Sequence, residues 1–346
     1  MYTKIYENPN IYKIDVPLPK NPLRNLNCYV IQDKGESLII DTGFNQPECE
    51  EALLAGLEAL EIDWGHTDMF LTHMHSDHVG LVPAVMQGKP GKTYMSKIDH
   101  DYLLWNISGD RWVQYDDFYI KQGFSRQQVD WLRYENPARA YGPTEVFPVV
   151  TVEDGDEIRV GDYTFSAVFV PGHTPGQMCL YCEAEQLMFT GDHVLFDITP
   201  NITWWSGVED SLGDYILSLL KLRKYPMELA FPAHRKNDKD VYERIDEIIV
   251  HHYIRLQETL DAIDLEDGVH ATDIGAKLKW SMRGKSWDDF PLSQRWFAVG
   301  ETMSHLDYLI VRGLVDRTEN NGLFAYWLTA PLDECKERLS EIWKQY

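Results

Sequence analysis

Apolar and polar positions change rhythm three times along the chain. From residue 12 to about 98, short apolar segments such as YVIQ, SLIIDTG and DMFLTH alternate with helical stretches. One of these, QPECEEALLAGLEALEI, is amphipathic, with apolar residues recurring at spacings of three and four. Residues 99–145 read as helix and are dense in aromatics: Trp105, Trp112, Tyr115, Phe118, Tyr119, Phe124 and Trp131. Strands return in EVFPVV, DEIRVG, YTFSAVFVPGH, MCLYCE, QLMFTGD and ELAFPAH, several separated by hairpin-like turns. Beyond about residue 237 strand signals nearly vanish. KDVYERIDEIIVHHYIRLQETLDAI, HATDIGAKLKW and SQRWFAVGETMSHLDYLIVRGLV predict helices, and VDRTENNGLFAYWL predicts a hairpin turning at Asn320-Asn321-Gly322. Strand runs mixed with helices predict sheets packed face to face and covered by helices.

Composition narrows the partners. The 346 residues are enough for two domains with full cores, and 44% apolar content is that of a folded globular protein. A net charge of −23 repels a phosphate backbone, and no Lys/Arg cluster builds a local basic groove, which argues against nucleic acid as a partner. No apolar run spans a bilayer and the N-terminal stretch lacks a signal-peptide core, so the expected location is cytoplasmic. Five cysteines, an odd count, suit reduced thiols. Cys179 and Cys182 fall in a strand, where residues three apart point to opposite faces, so they read as core.

The chemistry concentrates in THMHSDH. If DMFLTH ends a strand, His73 and His75 project to one side. SDH is a typical helix start, which sets Asp77 and His78 beside them near a positive N-terminus. Imidazole and carboxylate together suit zinc, manganese or iron. Three further strand ends present His173 (VFVPGHTPG), Asp192 (MFTGDHV) and His234 (AFPAHR). Any one of these alone would read as a turn residue. Five histidines and two aspartates at the ends of apolar strands are about what two adjacent divalent ions need while leaving positions for water and substrate.

THMHSDH, PGHTPG, TGDH and PAH, in that order and preceded by IIDTG, resemble the five motifs of the metallo-β-lactamase-fold hydrolases, in particular their glyoxalase II-like branch, over roughly residues 25–235. The resemblance implies an α+β fold: a four-layer αβ/βα sandwich across residues 1–237 with a helical insertion at about 99–145. It further implies that His73, His75 and His173 hold one metal, that Asp77, His78 and His234 hold a second, and that Asp192 bridges them. Asp41, in IIDTG, would orient the ligand loop. The candidate catalytic residues are then Asp77, Asp192 and Asp41. The expected cofactors are two divalent metal ions, zinc first, with iron or manganese accepted by the same donors. A bridging aspartate is a departure from the antibiotic-hydrolysing relatives, and His75 stands where flavodiiron proteins carry glutamate. Arg235 replaces the glycine of many relatives and reads either as a group near the substrate or as a surface arginine.

Residues 238–346 resemble the winged-helix domain appended to one branch of this superfamily, with its order of three helices and a hairpin. Residues 235–346 hold 15 Lys and Arg against 21 Asp and Glu, a net of −6, so packing against another surface is expected rather than DNA reading. His251, His252 and His305 read as structural or surface residues. The aromatic insertion, with Trp204 and Trp205, reads either as core or as a lid over the site; a lid would imply a substrate with an apolar part. The expected reaction is metal-dependent hydrolysis, in which a metal-bound hydroxide attacks the carbonyl of a small ester, thioester or lactone. A metal-dependent phosphodiesterase and a mononuclear iron dioxygenase of the persulfide type use overlapping ligands and stay open. The partner is a small molecule, and the composition is compatible with a homodimer.

Overall fold

The computed structural model describes residues 1–264, 268–280 and 286–346. A seven-stranded sheet runs in sequence order: β1 (Tyr2–Tyr6), β2 (Asn10–Pro17), β3 (Asn25–Asp33), β4 (Glu36–Ile40), β5 (Thr67–Phe70), β6 (Thr93–Ser96) and β7 (Val150–Val152). Neighbours are antiparallel as far as β4 and parallel from β4 to β7. The predicted strand EVFPVV is only partly realised, since β7 begins at Val150. A five-stranded sheet contains β8 (Glu157–Val160), β9 (Tyr163–Phe169), β10 (Met178–Cys182), β11 (Leu187–Gly191) and β12 (Leu229–Pro232), in the order β12-β11-β10-β9-β8. Within it β11 and β12 are parallel and the other pairs antiparallel.

The two sheets share one apolar core. Ile31, Leu38, Ile40 and Phe70 from the first sheet cluster with Phe165, Leu180, Leu187 and Phe189 from the second. Tyr29 meets Phe189 and Phe231 edge-on and tilted, with ring centroids 5.3 and 5.6 Å apart. Every residue of β10 and β11 is buried, which explains why these strands read as unbroken apolar runs. Cys179 and Cys182 are among them, and all five cysteines are buried free thiols.

Strand direction decides where the loops go. The parallel pair β4 and β5 ends at one edge of the first sheet. In the second sheet β10 runs opposite to both β9 and β11, so β9, β11 and β12 all end at the same edge. Asp41, the 72–78 loop, His173, Asp192 and His234 each follow one of these five strand ends.

The helices are α1 (Pro47–Ala59), α2 (Ser76–Val79), α3 (Val82–Met86), α4 (Lys97–Ser108), α5 (Asp110–Lys121), α6 (Arg126–Glu135), α7 (Pro137–Ala140), α8 (Ser211–Leu222), α9 (Val241–Asp264), α10 (Ala271–Lys277), α11 (Leu292–Val311) and α12 (Leu332–Trp343). Among the described residues no helix is long and apolar enough to cross a membrane.

Two compact units interleave along the chain: residues 1–108, 137–200 and 221–244 form one, and residues 109–136, 201–220 and 245–346 the other. A single cut near residue 237 does not separate them. The reason is aromatic packing inside the second unit, where Phe118 stacks on Trp204 (centroids 3.8 Å apart, planes 9°) and Tyr119 on Trp296 (4.9 Å, 14°). Much of the predicted insertion is therefore core of that unit. The hairpin of β13 (Val315–Asn320) and β14 (Leu323–Leu328) turns on Asn321 and Gly322, whose φ angles of 50° and 80° are those of the tight turn that matches strand twist. The helix α12 follows it, one beyond those that the apolar pattern predicted.

Candidate metal centre

All seven predicted ligands meet at the edge where the five strands end. His73 and His75 follow β5, and their ring nitrogens converge: His73 Nε2 lies 3.0 Å from His75 Nδ1, which lies 2.9 Å from His173 Nε2. Asp77, His78 and His234 form a second group. His234 Nε2 is 3.3 Å from Asp77 Oδ2, and His78 Nε2 is 3.8 Å from it. Asp192 faces both. Its Oδ1 lies 3.3 Å from His234 Nε2 and 3.6 Å from His78 Nε2, while Oδ2 lies 3.6 Å from His173 Nε2.

These atoms fit divalent ions. A tetrahedral ion with bonds near 2.0–2.1 Å separates its ligand atoms by about 3.3–3.4 Å, close to the 3.3 Å from His234 Nε2 to both Asp77 Oδ2 and Asp192 Oδ1. His78 Nε2, His234 Nε2 and Asp192 Oδ1 are buried and make no hydrogen bond of acceptable geometry, despite lying this close together. Buried polar atoms left so are costly, and a shared cation would satisfy all three. Three donor groups capable of holding an ion overlap here: His73, His75 and His173; His73, His78 and Asp192; Asp77, His78 and His234.

Hydrogen bonds behind the rings set which nitrogen faces inward. Asp41 follows β4 with a positive φ of 61°, a strained setting for aspartate that turns its side chain into the protein. One oxygen accepts from the Thr72 backbone N–H (2.9 Å); the other accepts from the Thr72 hydroxyl (2.8 Å) and pairs with His78 Nδ1 (2.8 Å). His234 Nδ1 donates to the Asn25 carbonyl (2.9 Å). Both rings therefore aim Nε2 at the centre. Gln177, fully buried, accepts through its amide oxygen from the backbone N–H of Asp192 (3.2 Å) and His193 (2.8 Å), which steadies the Asp192 loop.

Electrostatics reinforce this arrangement. Burial alone would push the Asp77 and Asp192 carboxyls up, but His78 and His234 hold both below the usual carboxylate range. Burial opposes charge on His234, and the facing Asp192 and Asp77 carboxylates outweigh it and raise the ring well above its ordinary value. His73 and His75 are pushed well below theirs, by burial and by neighbouring imidazoles. A low pKa keeps His73 and His75 neutral, as metal ligands must be, whereas His78 and His234 are raised, against the effect of burial, by the carboxylates that face them and would have to give up a proton to an ion.

The cluster opens on one side. His73, His78 and His234 are fully buried, whereas Asp77, His173 and Asp192 keep 8, 5 and 6% of their surface exposed. His75 is only partly buried and is the most exposed of the seven, so a substrate would reach the site along it and those three. Arg235 is not aimed at the cluster, because its guanidinium donates to the Pro22 carbonyl. The sequence reading missed Thr72, Gln177 and Asp99. Their bonds join loops distant in sequence, so only Asp99 carries a local signal, in a Ser-x-x-Asp helix start.

Comparison with known proteins agrees with this geometry. Residues 22–234 match the family model described as the metallo-beta-lactamase superfamily. A lactamase-like protein, adaB, of Aspergillus niger is 28% identical over 242 residues, 70% of this chain and 60% of its own length. An atrochrysone carboxyl ACP thioesterase of Emericella nidulans is 30% identical over 66% of this chain and 56% of its own length. The chain thus spans about 60% of the length of the first of these curated relatives. Among solved structures, a metallo-beta-lactamase family protein of Thermus thermophilus is 25% identical with a TM-score of 0.76, covering 92% of this chain and 98% of that one. A beta-lactamase domain protein of Burkholderia ambifaria shares the fold with a TM-score of 0.77 at 22% identity, covering 95% and 93%. The chain belongs to the metallo-beta-lactamase superfamily.

Proposed function

We propose that this protein is a binuclear metallo-hydrolase acting on a small acyl thioester, with esters and lactones as chemically neighbouring substrates. The observation that carries the reading is Asp192, whose two oxygens face different histidine groups. His73, His75 and His173 would hold one ion, Asp77, His78 and His234 the other, and Asp192 both. Zinc is the expected metal, and the same donors accept iron or manganese. Divalent ions in such a site supply Lewis acidity, which lowers the pKa of water and polarises an acyl carbonyl.

The chain's own residues do the rest. Asp41 keeps His78 Nε2 directed inward. Asp77 and Asp192 sit on the open side and are the carboxylates available to take a proton from water and return it to the leaving group. The thioester preference draws on relatives named as thioesterases, at 26–30% identity. We read residues 1–237 as the glyoxalase II-like catalytic portion, and residues 238–346 as a winged-helix-like portion that shares its compact unit with residues 109–136 and 201–220. The order α10, α11, β13, β14 and the bridge from Val269 to Tyr326 support the latter.

A panel of acyl thioesters, lactones and phosphodiesters tests this. Turnover of thioesters that disappears in Asp192→Ala is the expected result. Turnover of the phosphodiester alone would replace the reading with a nuclease.

A further inference from the structure

One buried carboxylate at the site's edge plays no part in this scheme. Asp99 lies in the first turn of α4 and is fully buried. In sequence it is the last residue of Ser96-Lys97-Ile98-Asp99, an ordinary helix start, and the Ser96 hydroxyl does accept from the Asp99 N–H at 3.2 Å. Its side chain, however, reaches two loops far away along the chain. Oδ2 accepts from the Met74 backbone N–H at 3.0 Å and from the Thr174 hydroxyl at 2.7 Å. Oδ1 accepts from the Gly176 N–H at 2.7 Å.

The partners are what matter. Met74 lies between His73 and His75, and Thr174 follows His173. A single carboxylate therefore bonds to residues adjacent to all three histidines of the first group. A carboxylate is buried only where donors compensate, and three charge-assisted bonds do so here. The contact is also close: a Cβ on Gly176 would fall 2.4 Å from Ser96 Oγ and 2.6 Å from Asp99 Oδ1, so this loop closes on α4 only with glycine. The second group has other supports, Asp41 behind His78 and the Asn25 carbonyl behind His234.

We propose that Asp99 is a positioning residue for the first metal group, holding the 72–75 and 173–176 loops at the separation where His73, His75 and His173 converge. The inference rests on reading the site as a binuclear metal centre.

Titration of metal-stripped protein with Co2+, followed by calorimetry and by the visible spectrum of the bound ion, separates the two claims. Wild-type protein is expected to take up two ions. Asp99→Asn keeps the shape but turns an amide N–H toward the donors; it is expected to weaken one of the two binding steps about 10–100-fold and leave the other at the wild-type value. Thr174→Val, a milder change that removes one bond, is expected to weaken the same step by less. Equal weakening of both steps, or a fall in metal-free melting temperature with both affinities unchanged, would overturn the proposal. Fewer than two ions in the wild-type titration would instead overturn the binuclear reading, and the positioning role with it.

Discussion

Each compact unit contains a buried histidine cluster, and the two differ in what faces the rings. In the first unit, His73, His75, His78, His173 and His234 surround two carboxylates, and Nε2 of both His78 and His234 lacks a hydrogen bond. In the second, His252 and His305 are also buried and bond to one another; His252 Nε2 too lacks a hydrogen bond, but among the described residues no carboxylate ligand group faces it. His305 Nδ1 donates to the Glu301 carbonyl at 2.7 Å, leaving Nε2 to accept from His252 Nδ1 at 3.1 Å. Burial keeps both rings neutral, pushing His305 down to about 3. Among the described residues no group of three donor side chains gathers around them. Histidine density alone does not make a metal centre. Strand-end placement and opposing carboxylates do.

The most severe way to break this contrast is Asp192→Ala. It should abolish hydrolysis and lower the metal content of purified protein, since both histidine groups lose a shared ligand. Asp41→Asn should follow, with about 10–100-fold weaker metal binding or turnover, because His78 loses the partner that fixes its orientation. Chelation should silence the enzyme while its near- and far-UV circular dichroism stay native, since the sandwich has an apolar core of its own; unfolding on chelation would make the site structural.

The second cluster should answer differently. His305→Ala should leave metal content and turnover unchanged and lower stability by about 1–3 kcal/mol, read as a fall of a few degrees in melting temperature. Asp307, in the same unit, bears on stability alone and leaves the metal site untouched. Burial raises its carboxyl from 3.8 to about 7, against the pull of Arg317 3.9 Å away and with the help of Asp210. The folded chain therefore holds a proton that the unfolded chain releases, and this contribution is lost as pH rises from about 4 to about 7. Asp307→Asn should flatten that part of the stability profile and raise the melting temperature at pH 8.

Much of the site was legible because its residues are placed by local rules. His73 and His75 are two apart at a strand end, and each remaining ligand follows an apolar run and a turn. The turn at Asn321-Gly322 was legible for a similar reason, as only residues tolerant of positive φ suit it. Long-range placement was not. Asp99 reads as a helix start, yet its partners lie 25 and 75–77 residues away. The helices of 109–136 show an aromatic face but not its partner. Only the fold pairs Phe118 with Trp204 and Tyr119 with Trp296, while Trp131 and Tyr134 stay exposed.

Hydrolysis of the proposed kind needs two ions that share Asp192. Elemental analysis of purified protein, with metal atoms counted per chain and the same batch assayed on a thioester, tests this requirement most directly. About two divalent metal atoms per chain, accompanied by thioester hydrolysis, is the expected result. A single iron per chain with no hydrolysis would contradict it.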